Sequence, residues 1–180
     1  MPTQTLEQLF LKEGVLVIAE ITSDNPRGVY LQKLFTNKSL LTRTVGAMAT
    51  RNLQEGGIFK EITGIVGLGA IGIPVGMQIA ESIVKNFIPF EMDSSTEKIG
   101  GFAGEQPLLG QKVAIVTDIV EHGNVCENAI DLLRKAGAEC MGIATIFDYE
   151  LKYRKEFTVP FNSLITPRSI IREIAKQAVV

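Results

Sequence analysis

The chain has 180 residues, of which 46% are hydrophobic and 21% are charged, and its formal net charge is −2. This length predicts a single domain over residues 1–180 with one sizeable core. The near-neutral charge gives no general attraction for nucleic acid or anionic lipid, so neither partner is expected. No apolar run is long enough for a membrane span, and MPTQTLEQLF lacks a signal-peptide pattern, so we expect a cytoplasmic protein.

The cysteines and the histidine argue against a metal centre built by the protein. Cys126 and Cys140 are too far apart in the sequence for a CxxC motif. We expect both to be free thiols buried in the core. With His122 as the one histidine, a conventional zinc site is not expected, and no metal-ligating residues are predicted.

The first half of the chain alternates between apolar runs and helical spacing. Glycine and proline mark the breaks between these elements, as in SDNPRG at residues 23–28. The pattern predicts a helix at 5–14, strands at 15–22 and 29–34, a helix at 37–53, a strand at 62–66, a helix at 73–84 and a strand at 86–90.

The second half repeats the scheme after a long polar stretch, residues 93–107, which is predicted to be a loop. Strands alternating with helices predict an α/β fold with a parallel sheet. Ligands in such folds bind at the carboxyl ends of the strands, where GLGAIG, the polar stretch and TDIVEHGN are the candidate loops. The remaining predicted elements are strands at 113–116 and 140–147 and helices at 125–136 and 169–178.

The turn after the strand KVAIV admits two interpretations. Asn124 and Glu127 have the spacing of a capping box, which would explain both residues without a ligand. Thr117 and Asp118, however, are polar residues at the end of a buried strand, and a helix amino terminus favours anions. The sequence leaves the cap and the phosphate site open. It also leaves open whether the glycines of GLGAIG offer N–H groups to an anion or allow close packing.

At this turn the sequence resembles a known family. The segment VAIVTDIVEHGNVCENAIDLLRKAGAE is similar to the phosphoribosyl-diphosphate signature of type I phosphoribosyltransferases, and the whole chain resembles the orotate phosphoribosyltransferases. LFLKEGVLVIAEITSDNPRGVYLQ resembles their amino-terminal hood, ITGIVGLGAIGIPVGMQIA their diphosphate loop, and FTVPFNSLITPRSIIREI their carboxyl-terminal end. The resemblance implies a central, mostly parallel sheet flanked by helices. It also implies a small hood, formed by residues 1–35 and the carboxyl-terminal segment.

The resemblance also implies a reaction in which orotate and phosphoribosyl diphosphate give orotidylate and diphosphate. Magnesium neutralises the leaving group in that family, and basic residues of a flexible loop close over it, usually across a homodimer interface. Transferred onto this chain, the catalytic positions are Lys98 and Asp118, and the substrate-binding positions are Arg27 and Tyr149. The positions for phosphoribosyl diphosphate, or for another phosphorylated small molecule, are Thr117, Asp118, Glu121, His122, Gly123, Asn124, Val125, Gly69 and Ala70.

Several of these positions depart from the family pattern. Thr117 replaces the first of two adjacent acids, while Glu121 and His122 stand where the family has threonines. Two unit charges about 4 Å apart repel by roughly 1 to 4 kcal/mol, so Glu121 opposes a bound phosphate. In the loop, Lys98 is the remaining cation, and Tyr149 replaces an arginine. We therefore predict weak or lost catalysis, with magnesium needed if any remains. The alternative is a non-catalytic nucleotide- or phosphate-binding protein with a regulatory or structural role.

Overall fold

The computed structural model describes most of the chain. For the strand residues 21–22, 25–26, 91–93 and 98–102 the description covers the backbone alone. The described residues are 4–17, 21–22, 25–26, 29–55, 57–58, 61–93, 98–102, 108–152 and 156–177.

The elements alternate between helices and strands along most of the chain. In order they are α1 (Leu6–Lys12), β1 (Ile21–Thr22), β2 (Asn25–Pro26), a 3-10 helix (Leu31–Thr36), α2 (Lys38–Ala47), a π-helical segment (Met48–Glu55), β3 (Gly64–Leu68), α3 (Gly69–Ser82), β4 (Asn86–Asp93), β5 (Lys98–Phe102), β6 (Lys112–Val120), α4 (Asn124–Lys135), β7 (Glu139–Asp148), β8 (Phe161–Ile165) and α5 (Pro167–Gln177).

A six-stranded sheet with the order β5-β4-β3-β6-β7-β8 forms the centre of the fold. Strands β4, β3, β6, β7 and β8 are parallel, and β5 pairs with β4 in the antiparallel sense. The predicted α/β fold, a mostly parallel sheet flanked by helices, is confirmed. Every helix in the described ranges is too short or too polar to cross a lipid bilayer.

The two faces of the sheet bury separate apolar clusters. Ile65 of β3 belongs to the cluster that also includes residues of α1, α2 and α3. Its neighbour Val66 belongs to the cluster with Ala129 and Leu133 of α4. Successive side chains of a strand point to opposite faces, so helices cover β3 on both sides. This two-sided burial explains the continuous apolar runs of β3 and β6, which are typical of parallel sheets.

Helix α1 forms as its sequence predicts. Thr5 is its amino-terminal cap, and the Thr5 hydroxyl and Gln8 side chain make a reciprocal capping box. Gly14 has a φ of 66° just beyond the helix end, a conformation that glycine adopts without strain. Gln8 also donates to the carboxylate of Glu173 at 2.7 Å, which links α1 to α5.

The predicted strand at 29–34 is wrong, because residues Leu31–Thr36 form a 3-10 helix. Leu31 and Leu34 are both buried, and a spacing of three residues places them on one face of a helix with three residues per turn. In place of the predicted strand at 15–22, the structure has a bridge between Leu16 and Val29 and the short strand β1. Residues 18–20 of that range lie outside the described residues. Strand β2, which pairs with β1, falls within the predicted loop 23–28.

The predicted polar loop at 93–107 is partly wrong. Strand β4 extends to Asp93, and β5 pairs with it along the edge of the sheet. Gly100 and Gly101 weaken the strand signal of the sequence. Pairing with β4 nevertheless satisfies the backbone hydrogen bonds of β5, and a local sequence pattern does not reveal this pairing. Residues 94–97 and 103–107 lie outside the described residues. Strand β8, absent from the prediction, extends the sheet beside β7.

Candidate ligand-binding site

A cavity of about 340 Å³ lies at the carboxyl end of β6, between the start of α3 and the start of α4. This volume is within the range of small-molecule sites. It brings together every residue predicted for the phosphate cradle and Gly69 of the diphosphate loop, whereas Ala70 is exposed on α3 and does not line it. The lining residues are Leu68, Gly69, Thr117, Asp118, Ile119, Val120, Glu121, His122, Gly123, Asn124, Val125 and Cys126.

Gly123 sets the geometry at the amino end of α4. It is the residue before the helix, with φ 85° and ψ −6°, and no side chain caps this end. Of the two interpretations, the capping box is therefore wrong: Asn124 is the first residue of the helix rather than its cap. The left-handed conformation of Gly123 makes the sharp turn from β6 into α4 possible. Since the first N–H groups of a helix have no partner within it, this end can bind an anion.

The side chains of Glu121, an acid, and His122, a base, flank this helix end. Nε2 of His122 lies 3.8 Å from Oε1 of Glu121, and both side chains are about half exposed. Among the described residues that line the cavity, none is lysine or arginine. Any positive charge from the lining therefore depends on protonation of His122, while Asp118 and Glu121 contribute two carboxylates.

Asp118 is the half-buried acid of the cavity. The N–H of Ile119 donates to Oδ1 of Asp118 at 2.8 Å, and the Thr117 hydroxyl lies 3.4 Å from the same oxygen. Burial raises the pKa of Asp118, and the N–H groups of Ile119 and Ile71 partly offset that rise. Desolvation therefore outweighs the hydrogen bonds, and the ionised carboxylate is held in this position at a cost.

The segment GLGAIG, predicted to be a loop, instead forms the end of β3 and the first turn of α3, and its glycines have separate roles. A Cβ on Gly72 would lie 2.9 Å from the Val116 carbonyl oxygen, and a Cβ on Gly67 would lie 2.8 Å from Cα of Ile73. These two glycines allow α3 to pack directly against the sheet. Gly69 differs, because it has a φ of 82° and a Cβ placed on it would lie 3.5 Å from Oδ1 of Asp118.

Tyr149, predicted to bind substrate, lies beside the cavity rather than in its lining. It is 9% exposed and its ring makes an edge contact with Phe147 at 4.9 Å. Its N–H donates to the Val120 carbonyl oxygen at 3.1 Å, which fixes the end of β7 to the end of β6. Burial, with a smaller contribution from Glu121, raises the pKa of Tyr149 to about 12.

The other predicted residues are not placed in the cavity. The backbone of Lys98 begins β5 opposite Asp93, and the position of its side chain is not described. Arg27 lies outside the described residues. Of the apolar lining residues only Val125 was predicted, whereas Leu68, Ile119, Val120 and Cys126 were not. Cys126 is 2% exposed, whereas Val125 is 39% exposed. The apolar residues at positions 126, 129, 130 and 133 share one face of α4, and this spacing is the signal that indicates Cys126.

The fit of magnesium to the site is limited. Carboxylate oxygens suit this ion, and Asp118 and Glu121 both line the cavity. Within the part of the chain that the structure describes, however, no three histidine, cysteine or acidic side chains are grouped so that they could hold a metal. The described residues therefore do not form a magnesium site by themselves.

Comparison with known proteins identifies the family. Residues 34–164 match the phosphoribosyl transferase domain family. The chain belongs to this family. An orotate phosphoribosyltransferase of Streptococcus thermophilus (strain ATCC BAA-491 / LMD-9) is 33% identical over 135 residues, covering 68% of this chain and 63% of that protein. One from Streptococcus pyogenes serotype M12 (strain MGAS2096) is 30% identical over 115 residues, covering 60% and 55%. The chain thus matches less than two thirds of the length of these curated relatives.

Solved structures with the same fold include members of the family. Orotate phosphoribosyltransferase from Aeropyrum pernix superposes with a TM-score of 0.76 at 16% identity, covering 96% of this chain and 99% of that one. UMP synthase of Leishmania donovani gives a TM-score of 0.74 at 17% identity, covering 97% and 38%. At these identities the structures show a shared fold.

Proposed function

We propose that this orotate phosphoribosyltransferase-like protein binds a phosphorylated small molecule in the cavity at residues 117–125, and that phosphoribosyl transfer is weak or lost. The observation that carries the proposal is the charge of the lining. It has two carboxylates, Asp118 and Glu121, and within the described residues no lysine or arginine.

The charge of the lining matters because diphosphate is a highly anionic leaving group. Its departure is accelerated by fixed cations and N–H donors placed where the charge develops. Here Glu121 lies at the start of α4 instead, where it repels a phosphate. A like-charged lining lowers both the affinity for phosphoribosyl diphosphate and the stabilisation of its reaction. Lys98 and Arg27 remain candidate contributors from outside the lining, and a second chain of a homodimer is a further one.

Binding has more support than catalysis. The uncapped amino end of α4 offers N–H groups, and Gly123 allows the chain to turn closely around a ligand. We propose that one phosphate group of the ligand lies at this end. Any magnesium would then be held mainly by phosphate oxygens of the ligand. A cytoplasmic homodimer with a hood from residues 1–35 and the carboxyl-terminal segment completes the proposal, and the Gln8–Glu173 contact supports the hood.

A non-catalytic regulatory or structural role is the second candidate. The same lining favours it, since the positions that carry catalysis in the family differ while the fold persists. Calorimetric titration with phosphoribosyl diphosphate, orotate and orotidylate in the presence of magnesium separates these roles, together with an assay for orotidylate. We expect binding of a phosphorylated ligand with little or no turnover. Normal turnover would refute the loss of catalysis, and no binding would favour a structural role.

A further inference from the structure

The end of β7 lies beside the cavity and is fixed to it. The N–H of Tyr149 donates to the Val120 carbonyl oxygen at 3.1 Å, so the tyrosine is next to a residue of the lining. Its ring is buried against Phe147, with an edge contact at 4.9 Å between the ring centroids. A ligand that extends from the amino end of α4 along the end of the sheet toward β7 therefore meets Tyr149.

A strained turn holds Tyr149 in this place. Glu150, the next residue, has a φ of 52°, a left-handed conformation that is uncommon for residues other than glycine. Its N–H donates to Oδ1 of Asp148 at 3.0 Å, which closes the turn around Tyr149. Strained residues of this kind persist where their surroundings over-determine them, and they cluster at ligand-binding sites. The turn at 148–150 thus orients Tyr149 before any ligand binds.

The charges around this turn are neutral or negative toward a ligand. Arg168 at the start of α5 is already paired, because its Nε lies 3.6 Å from Oε1 of Glu150. The described part of the cavity lining contains no lysine or arginine, and it includes the half-exposed carboxylate of Glu121. Burial, with a smaller contribution from Glu121, raises the pKa of Tyr149 to about 12, so its hydroxyl group is uncharged at neutral pH. A ligand group at this position therefore meets a neutral phenol and a carboxylate.

We propose that Tyr149 and Glu121 select a ligand by the charge of the group attached to its phosphorylated sugar, so that the site accepts a nucleoside monophosphate with an uncharged base and rejects one whose base has a carboxylate. The inference rests on the proposed function, in which a phosphate binds at the amino end of α4. Both residues differ from the family pattern, which by resemblance has an arginine and a threonine at these positions. The selectivity therefore arises from residues that this chain does not share with the family.

Charge repulsion sets the expected size of the preference. A carboxylate on the base loses about tenfold or more in affinity when it lies close to Glu121 without a cation between them. An arginine offers a carboxylate two parallel donors, whereas the hydroxyl of Tyr149 offers one. Glu121 also repels the phosphate, but this repulsion is the same for two ligands with the same ribose phosphate. The ratio of their affinities therefore isolates the charge of the base.

Calorimetry on the whole protein with magnesium tests the proposal, with uridylate and orotidylate as probes, because these nucleotides differ by one carboxylate on the base. The wild type is expected to bind uridylate about tenfold or more tightly than orotidylate. Glu121→Gln should reduce this ratio to less than about threefold. Glu81→Gln is the matched control, because it removes the charge of an exposed acid near the far end of α3, and it should leave the ratio unchanged. Tyr149→Arg should reverse the preference in favour of orotidylate.

Ribose 5-phosphate, titrated alongside, separates this inference from the proposed function. If orotidylate binds the wild type as tightly as uridylate or more tightly, a cation reaches its carboxylate, and the inference is wrong while the proposed function stands. The inference is also wrong if only ribose 5-phosphate binds, or if Glu121→Gln leaves the ratio unchanged. If none of the three probes binds, both fail. The wild-type ratio is measured without any variant, so it decides the matter even if Tyr149→Arg does not fold, which a thermal unfolding scan establishes.

Discussion

Asn52 and Asn162 bind each other reciprocally, because the side-chain amide of each donates to the backbone carbonyl oxygen of the other at 3.1 Å. Asn52 lies in the π-helical segment and is 2% exposed, and its amide also donates to the Thr145 carbonyl oxygen at 3.1 Å. These bonds attach the π-helical segment to β7 and β8. Since Thr145 in turn holds Asp118, the attachment extends to the cavity.

Replacing Asn52 with alanine should destabilise the protein. The change removes two buried hydrogen bonds from its amide and leaves a small cavity, so we expect a loss of about 2 kcal/mol in the free energy of unfolding. Urea denaturation followed by circular dichroism measures it. Asn128→Ala on the exposed face of α4 is the control and should change stability by less than about 0.5 kcal/mol. Equal effects of the two changes would contradict the role of Asn52.

Alanine at Gly72 and at Gly46 should have opposite effects. At Gly72 the added Cβ would lie 2.9 Å from a backbone oxygen of β6, and relieving that contact should cost about 1 to 3 kcal/mol. At Gly46 in α2 a Cβ would meet nothing within 4 Å, so alanine should stabilise the helix by about 0.5 to 1 kcal/mol. Thermal and urea unfolding of the two variants measure both. An unchanged Gly72→Ala protein would show that α3 is not packed tightly on β6.

Removing the charge of Glu121 should strengthen phosphate binding. We expect Glu121→Gln to raise the affinity for ribose 5-phosphate by about tenfold at low salt, because one repulsive charge beside the amino end of α4 is lost. Added salt should shrink the gain. Calorimetric titration gives the affinity, and Glu81→Gln, an exposed acid near the far end of α3, should leave it unchanged. A similar gain from both variants would mean that overall charge, rather than the position of Glu121, controls binding.

The raised pKa of Asp118 predicts a pH dependence of stability. A carboxyl group whose pKa is higher in the folded state binds protons more readily there than in the unfolded chain. Its contribution to stability therefore falls as the pH rises from about 4, the unfolded value, through the raised folded value. Asp118→Asn removes this contribution. The stability of the variant relative to the wild type should increase over that interval, as urea denaturation at successive pH values will show. A constant difference would contradict the raised pKa.

The parts of the fold that were predicted from sequence have local signals. The continuous apolar runs of β3, β6 and β7 and the amphipathic spacing of α4 depend on neighbouring residues alone. Strand β5 forms by pairing with β4, and its glycines leave it with a weak strand signal in the sequence. The sequence left the cap of α4 open, because Asn124 and Glu127 have the spacing of a capping box. The left-handed turn at Gly123 makes Asn124 the first residue of the helix instead.

In the candidate site, too, the features with a local sequence signal were predicted and those that depend on distant segments were not. The residues from Thr117 to Val125 follow one another in the chain, so a sequence signature is enough to bring them to one cavity. The contact between Asp118 and Gly69 joins segments that are far apart in the sequence. Their approach depends on how closely α3 packs on the sheet, which the glycines of GLGAIG allow but do not by themselves specify.

The order of the first turn of α4 should report whether a ligand is bound, because Gly123 precedes this helix and no side chain caps it. A helix whose first turn has no side-chain cap frays more readily than a capped one, and an anion at that end supplies the missing acceptor. Amide hydrogens at the beginning of α4 should therefore exchange slowly when a phosphate is bound and quickly when it is not. The same turn that allows the chain to wrap around a ligand thus couples ligand binding to the local order of α4.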